Sequence, residues 1–170
     1  QPLSASIHQF YERCELEHGF KDLRPNLSPH LTIKKRTLVP DGVFVGLRHG
    51  LTTLVRTNQL LPVTATVLAP AEFEGDTTST LYLPLTSTAL SEGIERTLDF
   101  FTECGCPREG YEGVTPHVTL VEKLDPERQE VVVAIAKSID WRPQLTFGAM
   151  VIYLKKGSYW LPGPRITRHD

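Results

Sequence analysis

One five-residue pattern, Pro-His-apolar-Thr-apolar, occurs twice in this chain and constrains its fold more than any other feature. The first copy is Pro29-His30-Leu31-Thr32-Ile33 and the second is Pro116-His117-Val118-Thr119-Leu120. The two histidines stand 87 positions apart, close to half of the 170 residues. None of the other four histidines has proline before it and threonine two positions after it. The doubling predicts a chain built from two similar halves.

On a β-strand this motif has a simple geometric meaning. Side chains two positions apart point to the same face, so the His and Thr of each copy would lie together while the apolar residues beside them face the core. Each copy then predicts an imidazole next to a hydroxyl on a rigid strand whose other face is buried in the core, which suits a reactive site. Continued alternation adds Lys34 to the first face and Lys123 to the second.

The segments around the two copies follow the same order along the chain. Hydrophobic periodicity predicts a helix, the His-x-Thr strand, a second helix and a further strand in each half. Ser6 and Gln9 predict a capping box for the first helix. Asp125-Pro126 predicts the start of the last helix, as an N-cap followed by proline at the first helical position. Pro84 is predicted to lie at a sheet edge or at the end of its strand.

This order predicts an α+β fold. We expect a single domain over residues 1–170, with one lobe spanning about 1–75 and the other about 76–170. Each lobe is expected to bring one His-x-Thr strand to a shared cleft, the first strand running from His30 to Leu38. A long apolar strand is predicted from Leu145 to Leu154.

Charge and apolar content exclude several classes of protein. A formal net charge of −2 gives no global attraction for nucleic acid, which argues against binding a long duplex through many phosphate contacts. One nucleotide or a strand end in a local basic pocket remains compatible with this charge. No apolar run approaches the roughly 20 residues that span a bilayer, so we expect no membrane association. We expect a monomer.

The three cysteines predict a reducing compartment. Their number is odd, Cys104 and Cys106 are too close for a good disulfide, and no second pair accompanies them to suggest a zinc site. We therefore expect free thiols in a cytoplasmic protein. The sequence offers no convincing cluster of carboxylates or cysteines, and we expect no metal and no other cofactor.

Two facing copies of the motif would suit the chemistry of a phosphodiester. Histidine is the side chain best placed to exchange protons near neutral pH. One neutral imidazole can take a proton from the attacking oxygen, while the other, protonated, gives one to the leaving oxygen. The threonine hydroxyls can donate hydrogen bonds to the phosphate oxygens, where negative charge gathers in the transition state. This scheme requires no metal ion, and it leaves open which histidine is the base.

The paired pentapeptides resemble the signature of the two-histidine (2H) phosphoesterase superfamily. This superfamily includes RNA 2′,3′-cyclic phosphodiesterase/2′-5′ ligase proteins, 2′,5′-phosphodiesterases and myelin-type 2′,3′-cyclic nucleotide phosphodiesterases. The resemblance implies that His30 and His117 are catalytic and that Thr32 and Thr119 bind the phosphate. It also implies two pseudo-symmetric lobes, with antiparallel sheets lining a central cleft and helices outside, and cleavage without a metal.

The residues after each motif differ from those of one subfamily. Bacterial ligase-like members commonly continue the first motif with Phe-Leu-Gly and the second with Ala-Arg. This chain has Lys34-Lys35-Arg36 and Val121-Glu122-Lys123 at these places. The subfamily therefore stays open.

The predicted reaction is cleavage of a 2′-5′ phosphodiester or of a 2′,3′-cyclic phosphate, and the substrate is a nucleotide, an RNA end or an oligonucleotide. Lys34 and Lys123 could contact phosphate and Tyr111 could stack on a base, with solvated lysines and an ordinary loop tyrosine as the alternatives. Two other functions stay open. One is an enzyme that degrades 2′,5′-oligoadenylate or cyclic-oligonucleotide signals, and the other is a non-catalytic module that binds a nucleotide or an RNA end.

Overall fold

The computed structural model describes residues 3–24, 30–34, 41–106, 108, 115–156 and 159–169. Its helices are α1 (Leu3–His18), α2 (Asp41–Thr57), α3 (Thr88–Glu103) and α4 (Pro126–Ser138). Its strands are β1 (Val63–Val67), β2 (Ala71–Glu74), β3 (Ser79–Thr86), β4 (His117–Leu124), β5 (Gln144–Phe147), β6 (Met150–Lys156) and β7 (Tyr159–Ile166). β3 pairs antiparallel with β1, β2 and β4, and β6 pairs antiparallel with β7. The predicted α+β class with antiparallel sheets is confirmed.

Two compact units interleave along the sequence. Unit 1 comprises Gln1–Thr32, Thr66–Thr86 and Thr115–Leu145, and unit 2 comprises Ile33–Ala65, Ser87–Val114 and Thr146–Asp170. The lobe boundary that we predicted near residue 75 falls inside unit 1. Strand pairing explains this, because β1 and β2 from the first half of the sequence share a sheet with β4 from the second. Both His-x-Thr motifs belong to unit 1, whereas the prediction assigned one to each lobe.

β3 is the central strand of the sheet in unit 1. Its residue Tyr82 pairs with Ala71 of β2 on one side and with Thr119 of β4 on the other. One face of these strands is buried toward α1 and α4, and it carries Leu81, Leu83, Val118 and Leu120. The helices contribute Phe10, Cys14, Val132 and Ala136 to the same core. The opposite face of β4 therefore stays accessible for polar side chains.

Pro84 lies in this central strand and not at a sheet edge. Its carbonyl oxygen accepts a hydrogen bond from the N–H of Leu68 at 2.9 Å, so its nitrogen faces the short connection between β1 and β2. β1 ends at Val67, so the N–H that proline lacks falls where the pairing of β1 with β3 stops, which makes proline acceptable in an interior strand. Both predicted positions are wrong, because β3 is an interior strand of the sheet and continues past Pro84 to Thr86.

β4 changes register twice against β3. The consecutive residues Leu81 and Tyr82 pair with Val121 and Thr119, so Leu120 is an extra residue at the first shift. A β-bulge of this kind interrupts the alternation of faces. Leu120 and Val121 are accordingly both buried, although they are neighbours in sequence. The second shift follows before β4 ends.

The core of unit 2 forms around α2. Leu47, Leu51 and Val55 lie on one side of this helix, and they pack with Leu61, Cys106 and Ile166. Phe100 of α3 packs against the same cluster. Gly50 of α2 faces that ring so closely that an added β-carbon would lie 2.5 Å from it. Contact between α2 and α3 therefore depends on a missing side chain at this position.

α4 begins where its sequence predicts. The Asp125 side chain accepts a hydrogen bond from the backbone N–H of Arg128 at 3.0 Å, and Pro126 is the first helical residue. The Arg128 guanidinium also binds two carboxylates, Asp125 at 2.6 Å and Asp22 at 2.7 Å. Hydrogen bonds from this guanidinium hold the pKa of both carboxyls below their ordinary value. Arg128 thus links the start of α4 to the segment that follows α1.

Other predicted elements differ from the structure. α1 begins at Leu3, so Ser6 lies inside the helix, where its hydroxyl donates to the carbonyl of Asp140 at 3.2 Å. The predicted capping box is therefore wrong. The long strand predicted up to Leu154 is divided into β5 and β6 around Gly148. β2 has only four residues and was not predicted.

The three cysteines are free thiols, as the sequence predicts. Burial raises the pKa of the Cys14 thiol to about 11. Within the parts of the chain that the structure describes, no helix combines the length and the apolar character that crossing a membrane requires.

Candidate active site

His117 is the first residue of β4 and is half-buried. Its Nδ1 atom lies 2.7 Å from the carbonyl oxygen of Thr115. Because a carbonyl oxygen can only accept, Nδ1 carries the hydrogen and donates it. The lone pair of the neutral ring is then at Nε2. A further backbone bond, from the N–H of Leu85 to the carbonyl of Pro116 at 2.8 Å, holds the entry to β4 against β3. The ring is therefore fixed with Nε2 as the nitrogen that can exchange a proton with a substrate.

Thr119 lies on the same face of β4 as His117. Thr119 pairs with Tyr82, and His117 pairs with Pro84. Residues that pair directly across two strands project to one side of the sheet. Both are half-buried, whereas Val118 between them is 1% exposed and lies on the core side. The strand predicted for the second motif is confirmed, and it brings an imidazole and a hydroxyl together.

Two aromatic residues outside our predicted set contact the His117 ring. Phe73 of β2 and Tyr82 of β3 stack with their ring centroids 3.9 Å apart and their planes 13° apart. The His117 centroid is 5.1 Å from each of them, at interplanar angles of 71° and 61°. Strand register explains the contact, because Phe73 pairs with Thr80, two residues before Tyr82 and on the same face. Only the pairing of β2 with β3 reveals this neighbour, since a four-residue strand has a weak sequence pattern.

The first motif has a different backbone from the second. Residues 30–34 form no strand, and Ile33 and Lys34 lie in a bend. Thr32 is exposed, while His30 and Leu31 are both half-buried. The predicted strand is therefore wrong over these residues, and its remaining part, 35–38, lies outside the described residues.

The weaker candidates have separate outcomes. Lys34 is half-buried in the bend after the first motif. Lys123 is exposed, has φ of +55°, and lies beyond the first register shift of β4. The alternation that would place it beside His117 is thus interrupted. Tyr111 lies outside the described residues.

The charged groups near these motifs do not form a metal-binding cluster in the described ranges. No three His, Cys, Asp or Glu side chains in those ranges form a group that could hold a metal ion. The second motif instead presents an imidazole nitrogen and a hydroxyl on one face of the sheet, next to the aromatic rings of Phe73 and Tyr82.

The family of this chain follows from comparison with known proteins. A family model described as the 2′-5′ RNA ligase superfamily matches residues 3–155, which include both motifs. The chain belongs to this superfamily. The resemblance to 2H phosphoesterases, inferred from the two pentapeptides, is confirmed. Membership supports the processing of RNA-type phosphodiesters by phosphoesterase or ligase chemistry, and it fits an RNA or oligonucleotide substrate.

A solved structure shares the fold. The crystal structure of the protein TT0787 of Thermus thermophilus is 14% identical to this chain and superposes with a TM-score of 0.61. The similarity covers 96% of this chain and 92% of that chain. At this identity the similarity concerns the fold alone. No curated protein matches the chain significantly.

Proposed function

We propose that this protein is a metal-independent phosphodiesterase that cleaves a 2′-5′ phosphodiester or a 2′,3′-cyclic phosphate. In this proposal His30 and His117 exchange protons with the substrate, and Thr32 and Thr119 hold the phosphate. The observation that supports it most is the state of His117. In a chain of the 2′-5′ RNA ligase superfamily, its Nδ1–H donates to the Thr115 carbonyl and leaves Nε2 as the reactive nitrogen, with Thr119 on the same face.

Hydrolysis of a cyclic phosphate needs two proton transfers. One neutral imidazole takes a proton from water as the water oxygen bonds to phosphorus. The other, protonated, gives its proton to the ribose oxygen as the bond between that oxygen and phosphorus breaks. The histidines end in exchanged protonation states, and proton exchange with solvent restores them. Hydroxyl donors to the non-bridging oxygens stabilise the charge that gathers there in the transition state.

Cleavage of a 2′-5′ linkage uses the same groups. The neighbouring 3′-hydroxyl of the ribose attacks phosphorus and loses its proton to the basic imidazole. The acidic imidazole protonates the departing 5′-oxygen, which leaves a 2′,3′-cyclic phosphate and a free 5′-hydroxyl. Because a ribose hydroxyl takes part in the reaction, deoxyribose substrates are expected to be inert.

Three further residues that the sequence suggested as substrate contacts have less support than the four motif residues. Lys34 remains a candidate phosphate contact, since it follows the first motif directly. Lys123 has lost the geometric reason for its assignment, because β4 changes register before it. Tyr111 remains a proposed base contact on sequence grounds. A monomeric, cytoplasmic protein also remains an expectation.

A panel assay in the presence of chelator tests the proposal. The substrates are 2′,3′-cyclic nucleotides, 2′-5′ and 3′-5′ dinucleotides, 2′,5′-oligoadenylate and cyclic dinucleotides, with the products resolved by chromatography. We expect turnover of the cyclic or the 2′-5′ substrates, with a bell-shaped dependence on pH. His30→Ala and His117→Ala should each lower kcat/KM by about 10²- to 10⁴-fold, the usual contribution of one acid or base. Each should also remove one limb of the pH profile.

His8→Ala is the matched control, because His8 is an exposed histidine on α1 that pairs with Glu12. It should leave turnover unchanged. Near-normal turnover by both motif variants would overturn the catalytic assignment. Reversible loss of activity in chelator would overturn metal independence. Tight binding of a nucleotide without turnover would favour the non-catalytic alternative.

A further inference from the structure

We infer that the ring of Phe73, which stacks on Tyr82, is the surface on which a nucleobase of the substrate stacks next to His117. The inference rests on the proposed function, whose reaction centre it uses, and it adds a specificity-determining residue to that site. It assigns a role to an aromatic pair that neither histidine motif includes.

The two rings differ in exposure. Tyr82 is 8% exposed and is the buried ring of the pair, whereas Phe73 is 41% exposed. One face of Phe73 is covered by Tyr82 at 3.9 Å. Its exposed area therefore lies on its edges and on the face away from Tyr82. An exposed phenylalanine on a short strand beside a reactive histidine forgoes the burial that usually stabilises this side chain. A flat ligand stacked on the open face would supply that burial.

The position of the stack suits a base attached to the reacting ribose. The His117 ring contacts both aromatic rings at 5.1 Å, so it stands beside the stack and not on top of it. A third ring placed on Phe73 at the spacing of the existing pair would have its centre about 7–8 Å from the imidazole centre. A ribose and its phosphate bridge a distance of this size. The phosphate would then lie near Nε2 and Thr119 while the base covers Phe73.

The chemistry of the surface points to a base and not to another group. Stacking needs only a π-face, which every nucleobase has, so it provides affinity without selecting a sequence. The exposed ring of the stack, that of Phe73, has no hydrogen-bonding atom with which to distinguish one base from another. We therefore expect preference for a base over no base and for the larger purine over a pyrimidine, without strict selection among purines.

Three variants of Phe73 separate stacking from packing. Phe73→Ala removes the ring, Phe73→Leu keeps apolar bulk without a π-face, and Phe73→Trp enlarges the π-face. Leu16→Ala is the control, because Leu16 is 83% exposed on α1 and its loss tests truncation of an exposed apolar side chain alone. Melting temperatures of all four variants should stay close to that of the unmodified protein.

The kinetic assay compares adenosine 2′,3′-cyclic phosphate, uridine 2′,3′-cyclic phosphate and methyl riboside 2,3-cyclic phosphate, which has no base. For the adenosine substrate, Phe73→Ala and Phe73→Leu should each lower kcat/KM by about 5- to 150-fold, the effect of losing one stacked base. The loss should be smaller for uridine and absent for the substrate without a base. Phe73→Trp should retain activity. An equal loss on all three substrates would mean that Phe73 acts only by positioning His117 and would overturn the inference, as would no loss at all.

A binding measurement distinguishes failure of this inference from failure of the proposed function. If the unmodified protein turns over none of the three substrates, the proposed function fails for this class. Titration with adenosine 2′-monophosphate and with methyl riboside 2-phosphate then decides the stacking by itself. Phe73→Ala should lower the affinity for adenosine 2′-monophosphate by about 5- to 150-fold and leave the affinity for methyl riboside 2-phosphate unchanged. Equal affinity of the unmodified protein for the two ligands would overturn the inference.

Discussion

Replacing Tyr11 with phenylalanine removes one hydroxyl from the core side of the strand that carries the second motif. The Tyr11 Oη donates to the carbonyl oxygen of Leu120 at 2.5 Å. Leu120 is the extra residue at the first register shift of β4, so it has no partner directly opposite in β3. A tyrosine from α1 therefore satisfies a backbone acceptor that the bulge takes out of the regular pairing pattern.

The size of the effect follows from burial. Tyr11 is 7% exposed and Leu120 is fully buried, so water does not replace the lost donor. An unsatisfied buried acceptor costs about 1–3 kcal/mol. For a chain of this length each kcal/mol corresponds to about 2–4 °C. Tyr11→Phe should accordingly lower the melting temperature by about 2–12 °C.

Thermal unfolding followed by circular dichroism measures the change in melting temperature. Thr102→Val is the matched control, because the Thr102 hydroxyl also donates to a carbonyl, that of Leu98 at 2.9 Å, within α3. In the helix the Leu98 carbonyl also accepts a backbone hydrogen bond, so it stays satisfied when the hydroxyl is lost. Thr102→Val should therefore lower the melting temperature clearly less than Tyr11→Phe. Tyr11→Phe indistinguishable from the unmodified protein would refute the reasoning.

The pH dependence gives an independent check of the same bond. Burial raises the pKa of Tyr11 above its ordinary value. A raised pKa in the folded state means that the contribution to stability is fully present below the unfolded value, about pH 10, and is lost as the pH rises beyond it. Tyr11→Phe should therefore remove part of the alkaline loss of stability. If stability fell equally for both proteins above about pH 10, ionisation of Tyr11 would not be the cause of this loss.

Two further substitutions test unit 2 and the start of α4. Gly50→Ala places a β-carbon 2.5 Å from the Phe100 ring and should lower the free energy of unfolding in urea by about 1–3 kcal/mol. A β-carbon at Gly46 in the same helix meets nothing within 4 Å, so Gly46→Ala should raise the free energy of unfolding by about 0.5–1 kcal/mol. Equal effects at the two glycines would contradict the packing of α2 on α3. Arg128→Gln should lower stability at pH 7, and its stability should fall less than that of the unmodified protein as the pH drops below about 4. The reason is that the two carboxyls bound by Arg128 have lowered pKa values, so their contribution is present above the ordinary aspartate pKa and is lost below it. Identical acid profiles for the two proteins would contradict this origin.

Local signals in the sequence predicted those parts of the fold that local chemistry decides. Asp125-Pro126 starts α4 because a capping carboxylate and a proline act within one turn. The alternation from His117 to Leu120 predicted β4 because both apolar residues are buried by the core side of the sheet. The same pattern did not make a strand at 30–34, where the backbone bends at Ile33 and Lys34. Alternation states which side chains would share a face if a strand forms, but strand formation needs a partner strand.

Strand pairing also decided what else belongs to the candidate site. Phe73 and Tyr82 lie 35 or more positions before His117 in sequence, and they reach its ring only because β2, β3 and β4 are adjacent in the sheet. Counting along β4 assigned Lys123 to the face of His117, and a bulge of one residue was enough to interrupt that count. The repeated motif points to the histidines that we propose to exchange protons, because this chemistry depends on residue type. Phe73, which we propose to stack on a base, comes from a neighbouring strand, so under this proposal the choice of substrate depends on sheet register more than on the motif itself.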